Sequence, residues 1–268
     1  MKSEQEMLFK RLNERFVKAF VRYQLLADDD HVLIGLSGGK DSLLLTELLG
    51  RRAQIHHPRF RVEAVHVRME NVSYETSTDY LQQFCERLQV PLHVVTTSFE
   101  QGSSSRFQVS SSRFQDSGVK GHSSSKPLCF LCSWNRRKQL FNLAQQLGCN
   151  KIALGHHRDD LIHTALMNLT FQGRFGTMPA RLQMRKMPLS IIRPLCLIDE
   201  ADIRRYAQLV GYQPVTKLCP HERDTHRTSV ANLFTAMEAM NPEARFSVWQ
   251  ALESAGKLIE ENEECADS

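Results

Sequence analysis

The sequence predicts an α/β protein built on a doubly wound, mostly parallel sheet, with a helix before it and helices after it. Three observations predict this class. Short apolar runs alternate with helix-length segments from residue 31 to residue 169. A glycine pair, Gly38-Gly39, stands where the first strand gives way to a helix. At 268 residues the chain also has length for one large domain with extensions and a sizeable core.

Residues 4–26 read as an amphipathic helix, because Leu8, Leu12, Phe16, Phe20 and Tyr23 recur at spacings of four and three. The helix is expected to pack on the core; Lys10, Arg11, Arg15, Lys18 and Arg22 fall between the apolar positions and form a basic face that could also touch nucleic acid. The helix's exposed face also leaves room for a homodimer. Strands are expected over 31–36, 61–67, 92–97, 151–154 and 189–192. Helices are expected over 41–51, 74–88, 136–147, 159–169 and 200–209, with two more between 222 and 259. Residues 172–187 read as a basic loop. About 99–126 is a Ser-rich, Gly-containing insertion that reads as flexible. The domain division is therefore 1–30, an N-terminal helix; 31–215, the α/β domain; 216–259, a helical extension; and 260–268, an acidic tail.

Composition narrows the class of function. The opening residues are polar and mixed in charge, unlike a signal peptide, and no apolar run reaches membrane-spanning length. Seven cysteines cannot all pair within one chain, which favours thiols or metal ligands over disulfides. A soluble cytoplasmic protein with no membrane partner is the expectation. The net charge of +4 includes five acids in the tail; outside it, 34 bases face 25 acids. Between residues 117 and 198 the only acids are Asp159 and Asp160, against twelve Lys or Arg residues. A surface built from that segment would attract a polyanion in a salt-sensitive way.

The loop Ser37-Gly38-Gly39-Lys40-Asp41-Ser42 has the makings of a phosphate cradle. Glycines let backbone N–H groups approach an anion, and the helix that follows adds favourable partial charge. Ser37 and Ser42 bring hydroxyl groups and Lys40 brings a cation. The loop is not a Walker A motif: Ile34 stands where its first glycine belongs, and Asp41 where Ser or Thr follows the lysine.

Cys129 and Cys132 form a CxxC placed just before the basic helix expected at 136–147. Thiols so spaced bind one metal or act as a redox pair, and Arg136 and Arg137 would stabilise thiolates. Cys219 is the third partner of choice. Two arrangements fit the spacing: three thiols on a [4Fe–4S] cluster with one iron open, or a Zn²⁺ site completed by His221 or His122.

The run SGGKDS at 37–42 resembles the signature of the PP-loop ATP pyrophosphatases, which cleave ATP between the α- and β-phosphates. With Cys129 and Cys132, the run 155–160 (Gly-His-His-Arg-Asp-Asp), Arg193-Pro194-Leu195 and Leu218-Cys219, the chain resembles the tRNA 2-thiocytidine synthetase family. That resemblance implies ATP-dependent replacement of a cytidine C2 oxygen by sulfur in the tRNA anticodon loop. It implies a [4Fe–4S] cluster on Cys129, Cys132 and Cys219, and sulfur delivered by a cysteine desulfurase or as sulfide. Ser37, Gly38, Gly39, Lys40 and Ser42 would hold the phosphates, and Asp41 with Asp159 or Asp160 would hold Mg²⁺. The end of the second strand at Val67 and the turn at Gly155 would bracket the adenosine, and Arg136 would orient the base or neutralise developing charge. N-capping is the competing role for the Asp159-Asp160 pair. Other readings of the same motifs are a 2-thiouridine synthetase, a sulfur-independent PP-loop ligase acting on tRNA, and a zinc-stabilised RNA-binding module without activity.

Overall fold

The computed structural model describes residues 3–55, 57–70, 73–74, 78–98, 128–185, 187–215, 217–218 and 225–261. Its first half runs α1 (Glu4–Tyr23), β1 (His31–Gly35), α2 (Lys40–Ala53), β2 (Arg61–Met69), β3 (Ser73–Tyr74), α3 (Asp79–Arg87) and β4 (Leu92–Thr97). The second runs α4 (Leu128–Gln146), β5 (Lys151–Ala153), α5 (Arg158–Gln172), β6 (Arg181–Gln183) and β7 (Ser190–Ile192). It ends with α6 (Glu200–Val210), β8 (Lys217–Leu218), α7 (Thr225–Met240), α8 (Ala244–Ser254) and β9 (Ile259–Glu260).

The main sheet has the order β4-β2-β1-β5-β7-β6-β9. The first five of these strands are mutually parallel, and β6 turns the sheet antiparallel against β7. The chain leaves β1 for β2 on one side and later returns through β5 on the other. The carboxyl ends of β1 and β5 therefore flank the switch point, where sheets of this kind open a crevice.

Packing follows the two-residue period of the central strand. Val32 and Ile34 point into the larger core cluster, with Leu12 and Phe16 of α1 and the apolar face of α2. Leu33 points to the other face, where Val65, Ile152, Leu140 and Ala144 form a separate cluster beneath α4. Both faces of β1 are thus sealed, and each such side chain contributes about 1.5–3 kcal/mol by burial.

Helix α1 begins at a capping box: Glu6 N donates to Ser3 Oγ at 3.2 Å, and Ser3 N donates to Glu6 Oε2 at 3.0 Å. Three of the five bases on its basic face pair with acids of other elements. Arg11 and Arg15 meet Asp202, Arg15 also meets Asp199, and Arg22 meets Glu253.

Three expectations need correction. The helix expected at 136–147 starts at Leu128, so the CxxC lies within its first two turns and not before it. Pro127, a helix-start residue, was the available signal. Residues 172–187 are not all loop, because Arg181–Gln183 form β6. The expected helix over 74–88 begins at Asp79, and Tyr74 belongs to β3, which pairs with β8. The Ser-rich insertion, Cys219, His122 and His221 lie outside the described residues. Of the acidic tail, Glu260 sits in β9 and Glu261 pairs with Arg181. No described helix is long and apolar enough to cross a membrane.

Candidate nucleotide site

The 37–42 loop leaves β1 and enters α2. Gly38 has φ +87°, and a Cβ there would come within 2.5 Å of Val215 Cγ2, so both backbone and space require glycine. Val215 N donates to Gly38 O at 2.9 Å, which ties the segment before β8 directly to the loop. Gly39 caps α2 without any side-chain hydrogen bond, leaving the first-turn N–H groups to serve an anion.

Ser37 and Ser42 divide the work. Ser42 is buried; Gly38 N donates to its Oγ at 3.1 Å, and that Oγ donates to Gly39 O at 2.9 Å. Its hydroxyl holds the loop in shape. Ser37 is exposed and lines a cavity of about 130 Å³ with Gly35, Leu36, Val65, Val67, Arg136, Arg137 and Leu140. A larger open groove of about 690 Å³ runs past Tyr80, Gln83, Arg87 and Gln213, and contains none of the residues singled out above.

The turn after β5 closes the site from the other side. Gly155 lies against the start of α2, where a Cβ would sit 3.1 Å from Ser42 N and 3.3 Å from Asp41 O. His157 follows, with three carboxylates around its ring. Nε2 is 3.9 Å from Asp41 Oδ1 and 3.4 Å from Asp160 Oδ2; Nδ1 is 3.6 Å from Asp159 Oδ2. Burial opposes protonation of His157, but these acids outweigh it and raise its pKa. Burial also pushes Asp41 upward against the pull of Lys40 and His157. Asp41 Oδ1 is buried and accepts no hydrogen bond.

Asp159 and Asp160 differ in role. Asp160 caps α5, accepting from His157 N at 3.0 Å. Asp159 accepts from Glu200 N at 2.8 Å on one oxygen and from Arg245 on the other. Burial works against its charge, yet His157, Arg245 and the Glu200 N–H hold its pKa well below the usual carboxylate range. Arg245 reaches Asp159 from α8 and is itself gripped by Glu238, at 2.8 Å from Nε. Asp199, the cap of α6, collects Arg15, Arg158 and Arg245. Lys40 Nζ lies between Asp41 Oδ2 at 3.2 Å and Glu200 Oε1 at 3.0 Å. Among the described residues no three metal-type ligands converge on a preformed site. Magnesium here would rely on one or two carboxylates plus phosphate oxygens, its usual habit.

Helix α4 carries the CxxC positions and lines the same cavity through Arg136, Arg137 and Leu140. Positions 129, 132 and 136 are spaced three and four apart and fall on one stripe of that helix. Cys132 is part-buried, one turn before the cavity-lining Arg136. Sequence reasoning does not single out His157, Glu200 or Arg245 as site residues, and it places Arg137 beside the thiols without a role at the cavity. His157 lay inside a motif already noted; Glu200 and Arg245 carried no sequence signal.

A PP-loop domain model matches residues 8–120. The tRNA-cytidine(32) 2-sulfurtransferase of Dichelobacter nodosus is 33% identical over 258 residues, covering 94% of this chain and 88% of that protein. Its namesake from Shewanella sp. (strain W3-18-1) is 31% identical over 248 residues, covering 92% and 74%. Among solved structures, the U34-tRNA thiolase NcsA from Methanococcus maripaludis, with its [4Fe–4S] cluster, superposes with a TM-score of 0.69. It is 23% identical, with 97% of this chain and 82% of that one covered, and shows the same fold.

Proposed function

The chain belongs to the tRNA-cytidine 2-sulfurtransferase family, and from that premise we propose that it is an ATP-dependent tRNA thiolase. It activates the C2 oxygen of an anticodon-loop cytidine as an adenylate and exchanges that oxygen for sulfur. One observation carries the reading. Helix α4 carries Cys132 and, a turn later, Arg136, which together with Ser37 lines the cavity at the mouth of the phosphate loop.

In this scheme Ser37, the backbone of Gly38 and Gly39, and Lys40 hold the ATP phosphates, while Ser42 keeps the loop in register. Val67 and Gly155 bracket the adenosine. Asp41, whose buried Oδ1 accepts no hydrogen bond, and Asp160 are the carboxylates for Mg²⁺. Asp159 acts as a positioning residue, through His157 and the start of α6. The C2 oxygen attacks the α-phosphorus and the α–β bond breaks, releasing pyrophosphate. A sulfur nucleophile then adds at C2, and AMP departs with the former oxygen. Arg136 offsets charge on the pyrimidine as it develops.

Cys129 and Cys132, three apart on one helical stripe, are a donor set suited to iron–sulfur ligation, with Cys219 as third ligand. Bound there, a [4Fe–4S] cluster would supply an open iron at which sulfur from a desulfurase, or sulfide, can be held. Zinc on the same thiols is the second metal reading, and the metal and sulfide content of anaerobically purified protein separates the two. The protein works in the cytoplasm, where tRNA is available, alone or as a homodimer.

The test is to incubate tRNA with ATP, sulfide and anaerobically reconstituted protein, then digest it and analyse the nucleosides by mass spectrometry. We expect ATP-dependent 2-thiocytidine. Thiouridine in its place would move the target base, and no thionucleoside at all would overturn the proposal.

A further inference from the structure

We propose that Glu200 is the positioning residue that aims Lys40 at the bound nucleotide; this rests on the reading of the 37–42 loop as the ATP site. An ammonium has three N–H donors. In the structure Asp41 Oδ2, at 3.2 Å, and Glu200 Oε1, at 3.0 Å, engage Lys40 Nζ. The remaining donor is left for a phosphate oxygen at the open cap of α2. Burial disfavours the charged lysine, but Asp41 and Glu200 together overcome it and raise its pKa.

Asp41 alone cannot fix the lysine, because it neighbours Lys40 on the same helix and moves with it. Glu200 comes from a different element, the first turn of α6. Its backbone N–H is held by Asp159 Oδ2 at 2.8 Å, and Asp159 is held in turn by Arg245. Its carboxylate is steadied by Arg204, whose Nη2 donates to the same Oε1 at 3.0 Å. The flexible lysine stem is therefore pinned from across the cleft by a carboxylate whose own backbone is anchored. The anchor runs from the phosphate loop through α6 to the turn after β5 and on to α8.

The rival role for Glu200 is that of a competitor, which phosphate must displace from Lys40. Titration of the full-length protein with a non-hydrolysable α,β-methylene ATP separates the two. Positioning predicts that Glu200→Ala weakens nucleotide binding roughly tenfold, and Glu200→Gln, which keeps an acceptor without charge, roughly threefold. In a Lys40→Ala background, Glu200→Ala should cause no further loss. Tighter or unchanged binding in Glu200→Ala would overturn the inference. So would an equal loss in the Lys40→Ala background, because the residue would then act through folding. Wild-type protein that binds no nucleotide would instead sink the ATP-site reading itself, and this inference with it.

Discussion

Helices α1 and α4 are both rich in basic residues, and they spend that charge in opposite ways. Arg11, Arg15 and Arg22 of α1 meet Asp202, Asp199 and Glu253, so much of its charge fastens the N-terminal helix to α6 and α8. Helix α4 contains no acid, and its Arg136 and Arg137 line the cavity beside the phosphate loop. A count of basic residues, five in α1 and three in α4, does not show how that charge is used. What distinguishes them is where the acids lie: they face α1 from other elements, and they are missing from the long segment around α4. Local depletion of acid, more than net charge, sets where a surface attracts a polyanion.

The contrast can be broken or sharpened by substitution. The largest effect belongs to the phosphate loop: Lys40→Ala should lower ATP-dependent thiolation by roughly 100-fold or more while the thermal midpoint stays near wild type. Next, Arg136→Ala should cost roughly 10- to 100-fold in kcat/KM for tRNA, measured by initial rates of thionucleoside formation. Arg15→Ala should leave that value within about twofold. If Arg15→Ala weakens tRNA use as much as Arg136→Ala, the division between the helices is wrong.

Arg245→Ala removes a partner of the buried Asp159, and should cost about 2–4 kcal/mol in urea unfolding. Arg15→Ala, at a part-exposed bridge, should cost about 1 kcal/mol or less in the same experiment. Acid should also weaken the fold through His156, whose pKa is pushed down to about 4 by burial and by Arg193. The unfolded chain takes up that proton near pH 6.5 and the folded chain only near 4, so stability falls as pH drops through this window. His157 works the other way: its raised pKa adds stability in acid that is lost as pH rises through the folded value. His156→Gln should flatten the decline below pH 6.5 in a series of denaturant titrations.

Some of this was legible in the sequence. The loop at 37–42 announced itself because glycines at a strand–helix junction have few other uses, and the alternating runs on either side fixed the class of fold. The turn at 155–160 was visible as a motif, but its division of labour was not: only the folded chain separates Asp160 as a cap from Asp159 as the partner of Arg245. Glu200 was invisible as a site residue because an acid in the first turn of a helix is ordinary complement to the helix dipole. Arg245 lies 86 positions from Asp159, and no local pattern joins them. The early start of α4 was hidden by a run of Cys, Phe, Leu and Trp, which carries no clear helical alternation.

The central claim is that sulfur chemistry and nucleotide chemistry share one cleft, joined by α4. The measurement that tests it most directly is parallel quantification of pyrophosphate and thionucleoside in Cys132→Ser incubated with tRNA, ATP and sulfide. We predict that pyrophosphate is still released and no 2-thiocytidine forms. Thiocytidine made at the wild-type rate by Cys132→Ser would contradict the claim.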